Sequence, residues 1–467
     1  MDKKFPQNCK VVVIGGGVVG CSVAYHLAKF GWNGRHILSG RVVEHISSYL
    51  GDTEAWTPKK LEDNRGKVFQ GSITLGDGFI LNREFARNLL DREPKYRDVI
   101  YPYLIGREVN QEPDHTPGRY VINFFDWPEE NAKNYEKSYD IVTELVKTER
   151  EKQKDAGAQR NWWLHLRPRP ELYHKIGRGS SFNSHPTYWV DDSHRLEQVI
   201  VFATGATKYP CFTMVPNEYI FANTLCVIAS DSFSLLACLT SDIHAVWAWE
   251  HGSRMKQDLR YTHGDVFETF PFPTGVLQND NDDLTAIGKK FFAARRSVML
   301  SKQKGMTSFY NDFHNPEIAS KEIEYCRKLQ LELNQCLVSA YRMDEIDLEL
   351  GFHQVGYLPF GKNTRFTISE KARHKVIKRL AELNRDRHYE EINLKSLEGT
   401  RAKPKRKKNK QAQSVSDTPN LNLDLSEAPI DRIKQIKKEV IKFLSTRGGK
   451  HGRTNLFSNI RMKNSEW

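Results

Sequence analysis

The sequence predicts an α+β fold. It reads as a mixed α/β region over residues ~40–275, a helical region over ~276–395, and a short strand–helix unit ahead of both. Three observations carry this. Glycine-punctuated, β-rich runs such as residues 69–81 are interleaved with helical stretches in the first region. The opening residues place an apolar strand directly before glycines and a helix. At 467 residues, with 39% hydrophobic and 11% aromatic side chains, the chain has material for roughly two to four domains and a real core, which excludes a disordered chain.

Charge narrows the class of partner. Seventy Lys and Arg stand against 58 Asp and Glu, a formal net charge of +12. A basic balance favours an anionic partner, with nucleic acid first, although part of the excess lies in a basic tail. The seven cysteines are scattered and form no C-x-x-C pair. They read as reduced thiols and offer no zinc site. No apolar run approaches a membrane span, and the first residues lack the apolar core of a signal peptide, so a cytoplasmic protein without a membrane partner is expected.

In chain order, the first element is Lys10-Val-Val-Val-Ile-Gly-Gly-Gly-Val-Val-Gly20. Gly15, Gly17 and Gly20 fit G-x-G-x-x-G, where glycines let a pyrophosphate approach a helix N-terminus. A helix follows from Cys21 to Phe30, with Val23, Leu27 and Phe30 on one side. This opening resembles FAD-dependent oxidoreductases of the dimethylglycine and sarcosine dehydrogenase type. The resemblance ends near Trp32. The next candidate strand, residues 35–39, closes on Ser39-Gly40, without the acid that would hold a ribose hydroxyl; the nearest is Glu44. Residues 1–34 therefore read as a Rossmann-like stub in a chimeric chain, without tight FAD binding. A flavin oxidoreductase is the alternative reading, and it rests on this fingerprint alone.

From residue 40 the elements change character. Residues 41–50 alternate and suit a strand entering a loop. Asn82 caps a helix running to Leu90. Two further segments follow at 101–110 and 119–128, then one long helix from Asn131 to Lys154 with Ile141, Val142, Leu145 and Val146 on its apolar side. Residues 147–169 set Lys147, Arg150, Lys152, Lys154, Arg160, Arg167 and Arg169 around Trp162 and Trp163. Basic groups can neutralise phosphates, and planar groups can stack or wedge. A solvated helix face followed by two core tryptophans explains the helical charges better. For Arg167 and Arg169, in a proline-rich loop, the two explanations weigh equally.

Further candidates for DNA contact are Gln70 and Ser72, which also suit a turn. Thr207, Lys208 and Tyr209, before Pro210, also suit a strand end. Arg260 is a candidate as well, with an ion pair to Asp265 or Glu268 as its competing role. His244, Trp247 and Trp249 read as core. Leu259-Arg-Tyr-Thr-His-Gly-Asp-Val-Phe-Glu-Thr-Phe-Pro-Phe-Pro273 ends in two Phe-Pro dipeptides, which take the backbone out of any helix. Its density of rings and prolines marks a scaffold.

Many of these segments, in this order, resemble the MmeI-like restriction-modification proteins. Those are single chains that methylate adenine N6 in DNA, often with a nuclease attached. The resembling segments include 101–110, 119–128, Trp162-Trp163, 169–173, 207–212, 259–273, 305–314, 348–353 and 365–369, and together they cover residues ~40–391. The resemblance implies a DNA target-recognition domain over 40–275, followed by a helical C-terminal domain over 276–395. It implies double-stranded DNA as partner and S-adenosylmethionine as the family's methyl donor. The chain contains no Pro-Pro dipeptide, and so lacks the Pro-Pro-aromatic motif that holds a flipped adenine. It also shows no methyl-donor loop and no metal-nuclease constellation. No catalytic residue and no metal site are therefore assigned. The chain alone is expected to bind no cofactor and to be inactive as a methyltransferase. A separate methyltransferase or nuclease subunit is its expected partner.

Past residue 395, Arg401-Ala-Lys-Pro-Lys-Arg-Lys-Lys-Asn-Lys410 holds seven basic residues in ten. Residues 396–428 read as a basic disordered linker. Ile430, Ile433, Ile436, Val440 and Leu444 space out an amphipathic helix within 429–467.

Overall fold

The computed structural model describes residues 57–185, 194–278, 281–359 and 361–399, together with short strands at 36–38, 41–43, 421–423 and 460–462. The Gly15–Gly17–Gly20 fingerprint falls outside these residues, as does most of the expected linker and C-terminal amphipathic helix. Within those two spans, residues 396–399 end a helix and 421–423 and 460–462 are strands, against the disordered and helical readings there. The chain divides into two units, Met1–Gly399 and Thr400–Trp467. Of the second, the described part is a parallel pair, Leu421–Leu423 with Ile460–Met462. The first begins with an antiparallel pair, β1 (His36–Leu38) and β2 (Arg41–Val43).

Val, Ile and Phe fill residues 199–202, and a strand apolar on both faces must be covered on both. The structure meets that requirement with a central antiparallel sheet. Its order is β3 (Val68–Gln70), β10 (Leu225–Ile228), β7 (Gln198–Ala203) and β8 (Thr213–Pro216). Side chains alternate across it. Val199, Val201, Val215, Leu225 and Val227 enter one apolar cluster. Ile200, Phe202, Met214, Cys226 and Ile228 enter the other.

The first cluster is completed by a second four-stranded sheet, in the order β4 (Ile80–Asn82), β6 (Arg119–Ile122), β5 (Ile100–Leu104) and β9 (Ile220–Phe221). Around it lie α1 (Arg83–Arg92) and α2 (Gly106–Gln111). Asn82 caps α1 as expected, its Oδ1 accepting from the Phe85 N–H at 2.8 Å. The single helix expected over 131–154 is instead broken. It forms α3 (Glu129–Lys133), α4 (Glu136–Val142), a π-helical turn (Thr143–Lys147) and α5 (Thr148–Glu151), before α6 (Ala156–Arg160) and α7 (Pro170–Lys175).

Two local causes account for the break. Tyr135 leaves helical geometry at φ −107°, ψ 60°, and its ring packs 5.9 Å from Trp127 and 6.1 Å from Tyr96. The π turn then meets the 76–79 loop so closely that a Cβ on Gly78 would lie 2.5 Å from the Leu145 Cβ. Extra residues in the helical ladder aim side chains that a regular helix would turn away. Here Val146 becomes fully buried, and Arg150 one turn later is carried under the chain at 74–75.

The second cluster holds α8 (Phe233–Thr240), α9 (Asp242–His251), the ribbon β11 (Ser253–Met255) and β12 (Asp258–Arg260), and the 259–273 segment. It continues without interruption into α10 (Asp282–Ser301), α11 (Met306–Phe313), α12 (Lys321–Tyr341), the hairpin β13 (Gly351–Gln354) and β14 (Thr364–Thr367), and α13 (Glu370–Gly399). One apolar core therefore spans residues on both sides of position 275. As read from the sequence, His244, Trp247 and Trp249 are core. The His244 ring lies between the Leu239 carbonyl and the Tyr261 hydroxyl, each 3.0 Å away, and burial pushes its pKa down to about 3.

The 259–273 segment has few ladder partners for its carbonyls, and other elements supply them. The Asn64 amide nitrogen reaches the carbonyls of Phe267, Glu268 and Phe270 at 3.0, 3.2 and 2.8 Å. Asn384 donates to the Thr269 carbonyl, Arg387 to that of Phe272, and the Tyr341 hydroxyl to that of Pro271. Val266, Phe267 and Phe270 are fully buried. The segment is scaffold, as its composition indicated.

Among the described residues, no helix is long and apolar enough to cross a membrane. Nor does any group of three or more His, Cys, Asp or Glu side chains among them stand ready to hold a metal ion.

Candidate nucleic-acid interface

Register places several loops at one end of the central sheet. Gln70 ends β3 opposite Cys226, and Ala203 ends β7 opposite Leu225. The chain leaving β3, the chain leaving β7 and the 222–224 turn before β10 therefore share that end.

Beyond Gln70 the chain runs against the 221–225 turn. Gly71 donates to the Leu225 carbonyl at 3.0 Å and Ser72 to that of Phe221 at 2.7 Å. The approach is tight enough that a Cβ at position 71 would lie 2.2 Å from the Ala222 carbonyl oxygen, so only glycine fits. Ile73 then forms an antiparallel bridge with Arg167, with bonds of 3.0 and 3.1 Å.

This bridge joins two groups of sequence candidates, Gln70 with Ser72 and Arg167 with Arg169. Arg169 precedes Pro170 yet sits in the left-handed region at φ 61°, a strained setting for a non-glycine residue. Its guanidinium donates to the Gln70 Oε1 at 3.1 Å and to the Gly71 carbonyl at 3.4 Å. Gln70 in turn donates through Nε2 to the Asn223 carbonyl at 3.0 Å. These bonds use part of each group's capacity; Gln70 keeps a further N–H and a further lone pair. Arg167 is exposed. Ser72 is fully buried, its hydroxyl donating to the Pro168 carbonyl at 3.2 Å, so it braces the loops and does not face solvent.

Arg150, read from the sequence as part of a solvated helix face, is instead fully buried. Its guanidinium donates to the carbonyls of Leu75, Thr74 and Leu164 at 2.8, 2.6 and 2.9 Å. It thus ties together the two chains that the Ile73–Arg167 bridge joins. Trp162 is likewise core, while the Trp163 indole donates to the Trp127 carbonyl at 2.9 Å.

The remaining candidates form a second group. Thr207 and Leu259 exchange backbone bonds of 2.8 and 3.1 Å, which sets the 204–209 loop beside the β11–β12 ribbon and brings Arg260 to it. Lys208 is exposed and reaches the Asn311 Oδ1 at 2.8 Å. Tyr209 also donates to that oxygen, at 3.0 Å, but its ring is buried and stacks on His314 at 5.0 Å, with the Arg365 guanidinium 5.1 Å from its centroid. Burial pushes the Tyr209 hydroxyl pKa up to about 12 and holds His314 well below the usual imidazole range. Tyr209 therefore positions Lys208 from within the core. Arg260 is exposed; of the two acids expected to compete for it, Glu268 instead meets Lys60 at 2.8 Å, and Asp265 forms no ion pair with Arg260 among the described residues.

The two groups are contiguous. Cys226, opposite Gln70, has its thiol 3.8 Å from His263 Nδ1 in the 259–273 segment. Sequence reasoning missed Gly71, Asn223, Arg150's bracing role and Asn311. Each owes its role to a contact made across a long stretch of chain, which no local pattern records.

Residues 58–274 match the family model described as MmeI, target recognition domain. Among solved structures, the Type IIL restriction-modification enzyme MmeI in complex with DNA is similar at 15% identity and a TM-score of 0.48, over 75% of this chain and 39% of that one. The chain thus spans well under half the length of that protein. No curated protein matches the chain.

Proposed function

We propose that this chain recognises a specific sequence in double-stranded DNA, as the specificity portion of an adenine-specific restriction-modification methyltransferase. The observation that carries this is the convergence of Gln70, Arg167, Arg169, Thr207, Lys208 and Arg260 on loops at one end of a single sheet, inside residues matched to a target recognition domain. Arg167 and Arg169 suit guanine edges or phosphates, and Gln70 suits an adenine edge. Thr207, Lys208 and Arg260 suit the flanking backbone. Ser72, Tyr209 and Arg150 hold these groups in place from beneath. In this reading the methyl donor, S-adenosylmethionine, serves a methyltransferase portion or subunit, and the loops described here supply the address.

Fluorescence anisotropy with a labelled mixed-sequence duplex tests the first requirement. Binding at ~50 mM salt that weakens steeply as salt rises is expected. No salt-dependent binding would overturn the proposal. Incubating the pure chain with labelled S-adenosylmethionine and DNA should leave the DNA unlabelled; methyl transfer would show that the chain is more than a specificity portion.

A further inference from the structure

The turn of the β11–β12 ribbon carries a charge, Lys256, that neither the fold nor the reading loops use. Pairing of Met255 with Asp258 leaves Lys256 and Gln257 as a two-residue turn. Lys256 sits there at φ 58°, in the left-handed region that such turns normally give to glycine or asparagine. Residues 253–258 are all exposed, so no burial of the lysine offsets the unfavourable backbone.

The ribbon is also fixed in place. Its Leu259 is bonded to Thr207. The Arg254 guanidinium donates to the Trp249 carbonyl at 3.4 Å and lies 5.8 Å from the Trp249 ring centroid. That ring stacks on Tyr357 at 4.8 Å, in the loop between β13 and β14 that also carries exposed Lys362. Burial lowers the Lys208 pKa, Arg365 and Lys362 lower it further, and Asp258 opposes them, which marks these groups as electrostatic neighbours. Lys208 thus neighbours both Lys362 and the ribbon residue Asp258, and the same ribbon carries Arg254 and Lys256.

We propose that Lys208, Arg254, Lys256 and Lys362 form a sequence-independent clamp on the phosphates of duplex DNA, beside the loops that read its bases. The inference rests on the DNA-recognition reading above. Phosphate contacts fix the register of a protein on a duplex, and base contacts then discriminate. Lys362 lies beyond the residues matched to the target recognition domain, so the clamp joins that domain to the helical region behind it.

The turn itself supplies a clean variant. Lys256→Gly removes the charge while giving the left-handed position the residue it favours, so the full-length variant should melt at the wild-type temperature or above. Anisotropy titrations on one mixed-sequence duplex over a range of salt should show the slope of log affinity against log salt becoming shallower by about 1 for Lys256→Gly and for Lys362→Ala, and by about 2 for the pair. Lys256→Arg should keep the wild-type slope. Wild-type protein that binds no duplex would overturn the DNA-recognition reading itself. Wild-type binding with unchanged slopes in both single variants would overturn the clamp alone. So would a changed sequence preference at constant slope, because it would make these residues readers of bases.

Discussion

The 259–273 segment and the paired loops at 70–73 and 166–169 are both irregular backbone beside the same sheet, yet they dispose of their polar groups in opposite ways. In the first, carbonyls without ladder partners are met by Asn64, Asn384, Arg387 and Tyr341, and the rings are buried. In the second, Arg150 meets the adjoining carbonyls of Thr74, Leu75 and Leu164 from beneath, Arg167 is exposed, and the partly exposed Arg169 is held by Gln70, Gly71 and Glu171. The first arrangement closes a core. The second holds charge at a surface and accepts a strained Arg169 to do so. The difference separates a closed scaffold from the loops proposed to meet DNA.

Substitutions should divide along the same line. The largest stability loss is expected from Phe270→Ala, which empties a fully buried aromatic site and should cost about 3–5 kcal/mol in urea unfolding. A loss below ~1 kcal/mol would mean that the segment is not core. Arg150→Leu removes three charge-assisted bonds and should cost about 3 kcal/mol, with DNA affinity falling alongside. Lost stability with intact affinity would break the link between the brace and the surface loops.

Acid should act through His165, which sits under the same loops. Its Nε2 is 2.8 Å from the Ile122 carbonyl, and burial pushes its pKa down to about 4. Because the folded value is depressed, the neutral form's contribution is complete above the ordinary value near 6.5. It is lost as pH falls toward 4, by on the order of 3 kcal/mol. A melting-temperature scan should show this decline, and His165→Gln should remove the His165 share of it while leaving the shares of His244 and His314. The smallest stability effect belongs to Arg167→Ala, within about 0.5 kcal/mol, while Arg169→Ala, which loses the bonds to Gln70 and Gly71, should cost about 1 kcal/mol. Each should nevertheless cost about 1–3 kcal/mol of affinity for the selected site. Variants as tight as wild type would remove these arginines from the interface.

How much of this was legible in the sequence followed sequence distance. Asn82 as a cap and the aromatic–proline segment as scaffold are local facts, and local chemistry decides them. The candidate residues were legible as types but not as groups. Gln70 and Arg169 meet only because Ile73 bridges Arg167, and Arg260 reaches the interface only through Thr207 and Leu259. The broken 131–154 helix failed for a related reason. Its apolar spacing is helical, but Tyr135 packs against rings from elsewhere, and Gly78 demands room beside Leu145. Arg150 looked like its basic neighbours, and only the three carbonyls brought to it from the 74–75 and 164 chains reveal a brace.

The most direct test of the central claim is selection of bound duplexes from a randomised library, followed by anisotropy titration of the winning and scrambled sequences. One enriched sequence, bound at least ~10³-fold tighter than its scrambled form at physiological salt, is the expected result. Equal binding of the two, or no enrichment, would contradict sequence-specific recognition by these loops.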